Sequence, residues 1–522
     1  MVVRVGWLTA LVVVAGLAWR TVRFAQGRPL WGDEAALAAS LITRDFAGLA
    51  RPPLEYHQIA PLGFLWAELA AARAFGLNEW SQRVVAFLCG TAAFLVFVRF
   101  ARRATDSLTA LLAIAILAAA FYPVRHTVEL KQYAGDMLVA VAAMALAWRA
   151  SRGPASPWPW AGLALLAAVG VWLSFPAVFV IAGAIAFLGW KAIQTRSWRR
   201  FWGVAAVACV FAASFAAAYV LYLRPLAEAS PHYFEEEGTQ WAAAFPPWEK
   251  PWLLPLWLLE VHTGNMLAYP YGGNHFGSAA TTLLVIVGAV TFWRGGRRDI
   301  LALLLAPLAL ALAAACLRRY PYGSSARTML YMAPSFCLLA GEGLRAILRL
   351  LAPKRLRSSV VRAAALALTG AILVSLGHDL ARPYKDRLAQ EVRQFVRDQA
   401  GRARPGDQWI VPNSVAPGHA GRALDARCDG VFEYYLAALA PVPLRWGLTP
   451  EQVPPADGRT LVLCYAAPQR DPNIPVEQAD FCRRLAGRLG PSAPERTRLL
   501  RHEGEADPVT VTVFTFPGRA AK

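Results

Sequence analysis

The sequence predicts a mainly α-helical, polytopic membrane protein with a small α/β domain at its C-terminus. Three observations carry this. Of the 522 residues, 57% are hydrophobic and only 17% are charged, and mean hydropathy is +0.37; soluble domains run nearer ~45–50% apolar and ~25% charged. The apolar residues come in runs of roughly 15–22, which matches a hydrocarbon layer about 30 Å thick. From about residue 378 the chain turns polar, with Pro and Gly clusters between short alternating apolar runs. A soluble enzyme, a collagen-like chain and a disulfide scaffold are all excluded by this composition.

The apolar blocks read as eleven spans, at 6–22, 81–101, 108–122, 133–149, 160–174, 176–190, 201–223, 279–294, 299–317, 327–349 and 360–377. The run 160–190 is too long for one span, and Ser174-Phe175-Pro176 supplies the break. The connections alternate. Arg102-Arg103, Arg149 with Arg152, the stretch Lys191 to Arg200, Arg294 to Arg298 and Lys354 to Arg357 are short, basic and all on one side. Basic short loops stay cytoplasmic, so the N-terminus is expected inside and the segment after 377 outside. The outer side then also holds the long connections 23–80 and 224–278 and the tight corner 123–132. The first span has features of a signal peptide, with Arg4 before an apolar core and Gly16-Leu-Ala18 after it. It is taken as a retained anchor.

Lys and Arg number 53 against 34 acids, a net charge of +19. The surplus is accounted for by the cytoplasmic loops, and nucleic acid is not an expected partner; the lipid bilayer is. The seven Cys form no CxxC pair, and no zinc or redox motif follows from them. Within 378–522, a helix is expected over 382–402, where Leu388, Val392 and Phe395 share helical spacing. Strands are expected at Gln408–Val411, Thr460–Cys464 and Val509–Phe516, with a helix near 476–489. Two domains follow: a membrane region, 1–377, and an extracytoplasmic α/β domain, 378–522. Cys428, Cys464 and Cys482 of the latter sit where disulfides persist, but their pairing is not readable.

Chemistry-bearing residues gather on the outer side. The first outward loop carries Trp31-Gly-Asp33-Glu34-Ala-Ala and then Glu55-Tyr-His57-Gln58-Ile-Ala-Pro61, each opening a short helix. Two adjacent carboxylates at a membrane boundary are costly unless water, a partner or a substrate is near. Asp33 is either the N-cap of its helix or a catalytic acid, and position alone leaves both open. The corner Arg125-His126-Thr-Val-Glu129-Leu-Lys131-Gln-Tyr133-Ala-Gly-Asp136 places ionisable groups at the ends of two spans. Lys131 there is either an anion ligand or a snorkelling lysine paired with Glu129. Arg318-Arg319 and Arg327 put positive charge where topology disfavours it, which invites an anionic lipid headgroup. The long loop 224–278 adds His232, the run Glu235 to Glu237, His262-Thr-Gly-Asn265 and Asn274-His275. No Walker loop, GxGxxG or GxSxG is present, and no ligand spacing supports a metal, although His232 with the glutamates leaves a divalent ion open.

The acidic pair after the first span, the Pro-centred second helix and the eleven spans resemble the GT-C glycosyltransferases. Within them the layout is similar to protein O-mannosyltransferases, lipid A aminoarabinose transferases and bacterial RgtA-like proteins. The likeness covers roughly residues 1–350 in layout, with motif-level agreement at 31–36, 55–66 and the corner 125–136. It implies transfer of a sugar, with inversion, from a polyprenyl-phosphate donor to a lipid, glycan or protein acceptor at the outer face of a bacterial inner membrane. It also implies that Asp33 is the general base. Glu34 is expected to orient it or to hold sugar hydroxyls. Where the aminoarabinose-transferase branch has Glu-Lys-Pro-Pro, this chain has Gln58-Ile59-Ala60-Pro61. The lysine for the carrier phosphate is therefore missing, and the role passes to Lys131 with Tyr133, and to Arg327 with Arg319. His57, Gln58, Glu129, His262 and Asn265 are the expected substrate contacts. No organic cofactor is implied. The rival reading is a flippase or exporter of polyprenyl-linked sugars, which would place ionisable residues near mid-bilayer rather than at span ends.

Overall fold

Each long apolar run folds as a helix, because peptide groups away from water must be satisfied within their own segment. The computed structural model describes residues 2–153, 156–229, 242–351, 357–412, 429–466, 473–499 and 509–518. His232, the run Glu235 to Glu237 and Cys428 lie outside these.

Helix α1 (Val2–Ala25) leads into the first long loop with α2 (Gly32–Thr43), α3 (Phe46–Leu49) and α4 (Leu62–Phe75). Then come α5 (Val84–Ala104), α6 (Ser107–Ala119), the short α7 (Phe121–His126), α8 (Tyr133–Arg152), α9 (Trp158–Leu173), α10 (Ala177–Gln194) and α11 (Trp198–Ala218). The second long loop holds α12 (Arg224–Ala229) and α13 (Leu254–Thr263), followed by α14 (Ala279–Arg294), α15 (Arg298–Cys316), α16 (Ala333–Leu351) and α17 (Arg357–Ala381). A helix thus occupies each of the eleven apolar stretches. Among the described residues, seven helical segments are long and apolar enough to cross a membrane, and α6, α9 and α14 are shorter apolar helices. The remaining one, α16, carries Glu342, Arg345 and Arg349 toward its end.

Local chemistry sets the boundaries. Asp106 caps α6 by accepting from the amides of Leu108 and Thr109 at 3.1 and 3.2 Å. The run 160–190 breaks between Leu173 and Ala177, where Pro176 has no amide to donate. Helix α16 lies against α14 and α6 with backbones in near contact. A Cβ on Gly288 would meet the Leu339 carbonyl, and one on Gly343 would meet the Leu284 carbonyl. Small residues permit this approach, and dispersion between close backbones replaces the hydrophobic drive that is missing in lipid.

Beyond α17 the chain forms α18 (Arg387–Arg402), β1 (Gln408–Pro412), α19 (Asp429–Leu439), β2 (Leu444–Leu448), β3 (Thr460–Ala466), α20 (Asn473–Leu489), β4 (Ala493–Leu499) and β5 (Val509–Phe516). The five strands make one sheet in the order β2-β1-β3-β5-β4. β1 pairs in parallel with β2 and β3, whereas β5 runs antiparallel to both β3 and β4. One face packs on α20, where the Cys464 and Cys482 sulfurs lie 4.0 Å apart. The other face belongs to a core shared with the first long loop: Leu37, Leu41 and Leu65 join Val392, Val396, Phe432, Leu436, Val511 and Val513. At its centre Gly430 of α19 sits on the backbone of Ala36 of α2, within 3.0 Å of where a Cβ would stand.

Because the α14–α16 crossing leaves no room for a side chain, Gly343→Leu should force the helices apart. A cost of at least about 1–3 kcal/mol is expected from overpacking, read as a lower melting temperature in detergent beside an unchanged Gly370→Leu control, whose Cβ would meet open space.

Candidate active site

The first turn of α2 is where the two adjacent acids part. Trp31, in extended conformation, is the N-cap, so Asp33 falls inside the first turn and is not the cap. Acids there are favoured by the helix dipole. From that turn the two side chains meet different environments: the Asp33 side chain is 28% exposed, that of Glu34 is 1%.

Glu34 is enclosed by donors. Arg83, at the start of α5, grips it with both arms, Nε to Oε1 at 2.8 Å and Nη2 to Oε2 at 2.6 Å. The amide of Leu130 adds a bond at 2.7 Å, and that of Trp31 one at 3.4 Å. Arg83 also donates to the carbonyls of Arg28 and of Pro29, the latter at 3.1 Å. One buried pair therefore fixes the loop before α2, the start of α5 and the corner before α8. Behind it, Glu68 of α4 is fully buried; burial and then the neighbouring Glu34 hold its carboxyl protonated well above the usual range, so it does not compete for Arg83. Glu34, expected to orient Asp33 or to hold sugar hydroxyls, has both carboxylate oxygens engaged by these donors. Its place is in positioning the loop that carries Asp33.

Asp33 keeps partial exposure beside this cluster. Its Oδ2 accepts from Arg327 Nη1 at 3.0 Å, in the turn before α16. Lys131 lies within electrostatic reach of Asp33, Arg327 and Glu129; burial lowers its pKa, with Asp33 pulling the other way. The Lys131 ammonium donates to Gln58 Oε1 at 2.6 Å. The snorkelling alternative, a direct pair with Glu129, is not what forms. Glu129 is instead engaged by Arg125 Nε at 2.7 Å, His126 Nδ1 at 2.7 Å and Lys385 Nζ at 3.2 Å. Burial alone would raise the Glu129 pKa, but Lys385, Arg125 and His126 overcome it and hold the carboxyl ionised. His126 is pushed down to about 4 by burial and stays neutral. Arg327 and Lys131 thus face Asp33, Arg83 faces Glu34, and Arg125 and Lys385 face Glu129, so that basic side chains outnumber acidic ones across the cluster.

The other expected residues are distributed unevenly. Tyr133 is half-buried at the corner, edge-on to His126 with ring centroids 4.9 Å apart. Arg319 is exposed at the end of α15; of that basic run, Arg327 is the residue that meets Asp33. His57 is exposed at φ 51°, next to Tyr56 at φ 53°. Tyr56 is tied by its hydroxyl to Glu433 of α19 at 2.8 Å. His262 is spent on structure, its Nδ1 on the Leu258 carbonyl at 2.7 Å and its Nε2 on the Tyr322 hydroxyl at 3.0 Å. Asn265 bonds Asn274 at 2.6 Å and accepts from Tyr122 at 3.4 Å. Among the described residues, no group of three or more His, Cys, Asp or Glu gathers as a metal-ligand set. Sequence reading missed Arg83 and Lys385. Arg83 did carry a signal, a cation at the outer end of a span against the topological bias. Lys385 carried none.

Comparison with known proteins follows this geometry. Residues 60–220 match the family model of dolichyl-phosphate-mannose-protein mannosyltransferase. The crystal structure of ArnT from Cupriavidus metallidurans in the apo state aligns over 97% of this chain and 98% of its own, at 15% identity and a TM-score of 0.55. The same protein bound to undecaprenyl phosphate aligns over the same shares at 15% identity and a TM-score of 0.52. No curated protein sequence matches the chain. A polytopic membrane fold of the ArnT type is the class these findings define. Residues 60–220 thus resemble that mannosyltransferase family, and the chain as a whole shares the fold of a polytopic membrane protein.

Arg83→Met would leave Glu34 buried and unpaired, a loss of about 3–5 kcal/mol. A clear drop in melting temperature and loss of monodisperse protein are expected, whereas Asp33→Asn, at an open position, should melt like wild type.

Proposed function

We propose that the chain transfers a sugar from a polyprenyl-phosphate-linked donor to an acceptor at the outer face of a bacterial inner membrane, with inversion and with Asp33 as general base. The single observation that carries this is the contrast within the acidic pair: Glu34 is sealed against Arg83, and Asp33 is left open among cations. The ArnT structure with undecaprenyl phosphate supports the donor class, since it shares this fold. The outer face is supported by the five short basic loops on the opposite side. Residues 1–377 are then the membrane region, and 378–522 an outward domain.

The chemistry is balanced as follows. Asp33 takes the proton of the acceptor hydroxyl or amine as that atom attacks the anomeric carbon. The bond between that carbon and the phosphate oxygen breaks on the opposite face, and the carrier leaves as its phosphate. The donor diester brings one negative charge and the leaving monoester carries close to two at neutral pH. A site in which basic side chains outnumber acidic ones therefore favours the leaving state over the donor, which is the direction catalysis needs. Arg327 links the two halves of the reaction. An arriving phosphate competes for its guanidinium and releases Asp33 for the acceptor proton. Lys131, oriented by Gln58, faces the same charge, and Tyr133 is placed beside it as a neutral donor. Arg319 stands further out on the same basic run. Asn265, Gln58, His57 and Glu129 complete the rim on which acceptor or sugar is expected, with Glu129 acting through its cations.

The test is to incubate the full-length protein with a panel of polyprenyl-phosphate sugars and measure carrier-phosphate release. Wild type should release it with at least one donor once acceptor is supplied. Asp33→Asn should lower turnover at least ~100-fold while still binding undecaprenyl phosphate. Lys131→Ala or Arg327→Ala should raise the donor KM roughly tenfold or more through loss of a charge-assisted bond. Full activity in Asp33→Asn would remove it as the base. Binding without release under every donor and acceptor would favour a carrier instead.

A further inference from the structure

We propose that Lys385, in the outward segment between α17 and α18, is a further ligand of the carrier phosphate, so that the C-terminal domain completes the donor site. The proposal rests on the polyprenyl-phosphate reading above and extends it to a residue outside the membrane helices.

The geometry begins with Glu129. Its Oε1 is contested by two cations, Arg125 Nε at 2.7 Å and Lys385 Nζ at 3.2 Å, and its Oε2 faces His126 Nδ1 at 2.7 Å. One carboxylate oxygen shared by two cations leaves positive charge unanswered. Lys385 also stands over the ring of Trp31, as Arg125 does at 5.7 Å, so the face of the residue that caps α2 is lined by two cations. The Lys385 side chain keeps 25% exposure, comparable to the 28% of Asp33, and is therefore open to a ligand in a way that Lys131, buried under Gln58, is less so. The charged groups facing Lys385 are Glu129, Arg125 and His126 from the corner and Glu34 from α2. His126 is neutral and Glu34 is taken by Arg83, which leaves half of one carboxylate.

Burial, the largest influence, and Arg125 push the Lys385 pKa down to about 7 against the pull of Glu129. An ammonium held so near its loss of charge gains more from an arriving dianion than a solvated one does, because the anion restores what burial removed. The sign follows. Below about pH 7 Lys385 is cationic and able to bind phosphate; above it the free site loses that charge and affinity falls. Lys131, also lowered by burial, contributes in the same direction.

The experiment measures binding of undecaprenyl phosphate to the full-length protein in lipid nanodiscs at pH 7 and pH 9, a range in which the phosphate itself stays a dianion. Wild type should bind and weaken toward pH 9. Lys385→Met should bind roughly 10- to 100-fold more weakly at pH 7, the range for a charged hydrogen bond. Lys385→Arg should restore affinity and reduce the weakening at pH 9, a response that a merely structural tie to Glu129 would not give. If Lys385→Met binds within twofold of wild type, the proposal falls and the donor reading stands. If wild type itself fails to bind, both fall. Should Lys385→Met not fold, Lys385→Arg decides alone, and an unchanged pH dependence overturns the proposal.

Discussion

The buried ion pair between Glu34 and Arg83 is the constraint on which the rest of the site depends. Arg83 holds the Arg28 and Pro29 carbonyls as well as the carboxylate, and Glu34 in turn holds the Leu130 amide. Three stretches of chain that are far apart in sequence are thereby locked to one another at one end of the helix bundle. A buried pair is not by itself a source of stability, because desolvation offsets much of the attraction. What it supplies here is geometry: it aims α2 so that the neighbouring Asp33 stays partly exposed beside the pair.

The same loop is held from above by the C-terminal elements. The Leu30 amide donates to the Tyr435 hydroxyl at 2.9 Å, and Arg393 bonds the Gly27 carbonyl at 2.9 Å and Glu79 at 3.1 Å. At the end of α17, Asp379 takes Trp19, Arg23 and Arg28 at 2.8, 2.5 and 3.0 Å. A mobile appendage would not share an apolar core with the loop that carries Asp33. Leu37 and Leu41 of α2 are buried against residues of α18, α19 and β5, so the sheet and its helices are part of the scaffold of Asp33. The left-handed pair Tyr56 and His57 fits the same view, since the strained turn leading to Gln58 is tied to Glu433.

How much of this was readable from the chain depends on the range of the cause. Span positions follow from length and hydropathy, which are local, and the break at Pro176 follows from a missing amide. Strands β1 and β3 show continuous apolar runs and β5 an apolar alternation because they lie inside the sheet. The two strands that escaped, β2 and β4, are its edges. Their sequences, Leu-Arg-Trp-Gly-Leu and Ala-Pro-Glu-Arg-Thr-Arg-Leu, carry the charges and proline that edge strands use to avoid further pairing, and so they read as loops. Asp33 was legible as one of two adjacent acids at a membrane boundary. Which of the two stays open was not, because it is decided by Arg83, 49 residues away. Lys385 reaches Glu129 across 256 residues, and no local pattern encodes such a contact.

The acidic pair shows why adjacency in sequence says little about role. Two carboxylates one residue apart on a helix project about 100° apart, so a single anchoring contact on one dictates the exposure of the other. Glu34, fully compensated by a bidentate guanidinium and a backbone amide, has no free lone pair for a proton in flight. Asp33, compensated by one contact to a partly exposed arginine, can exchange that partner. Environments that push neighbouring acids into unlike states are what allow one to act as base while the other stays fixed. In this chain the difference is made by which acid Arg83 grips: Glu34 is sealed in against it and Asp33 keeps partial exposure.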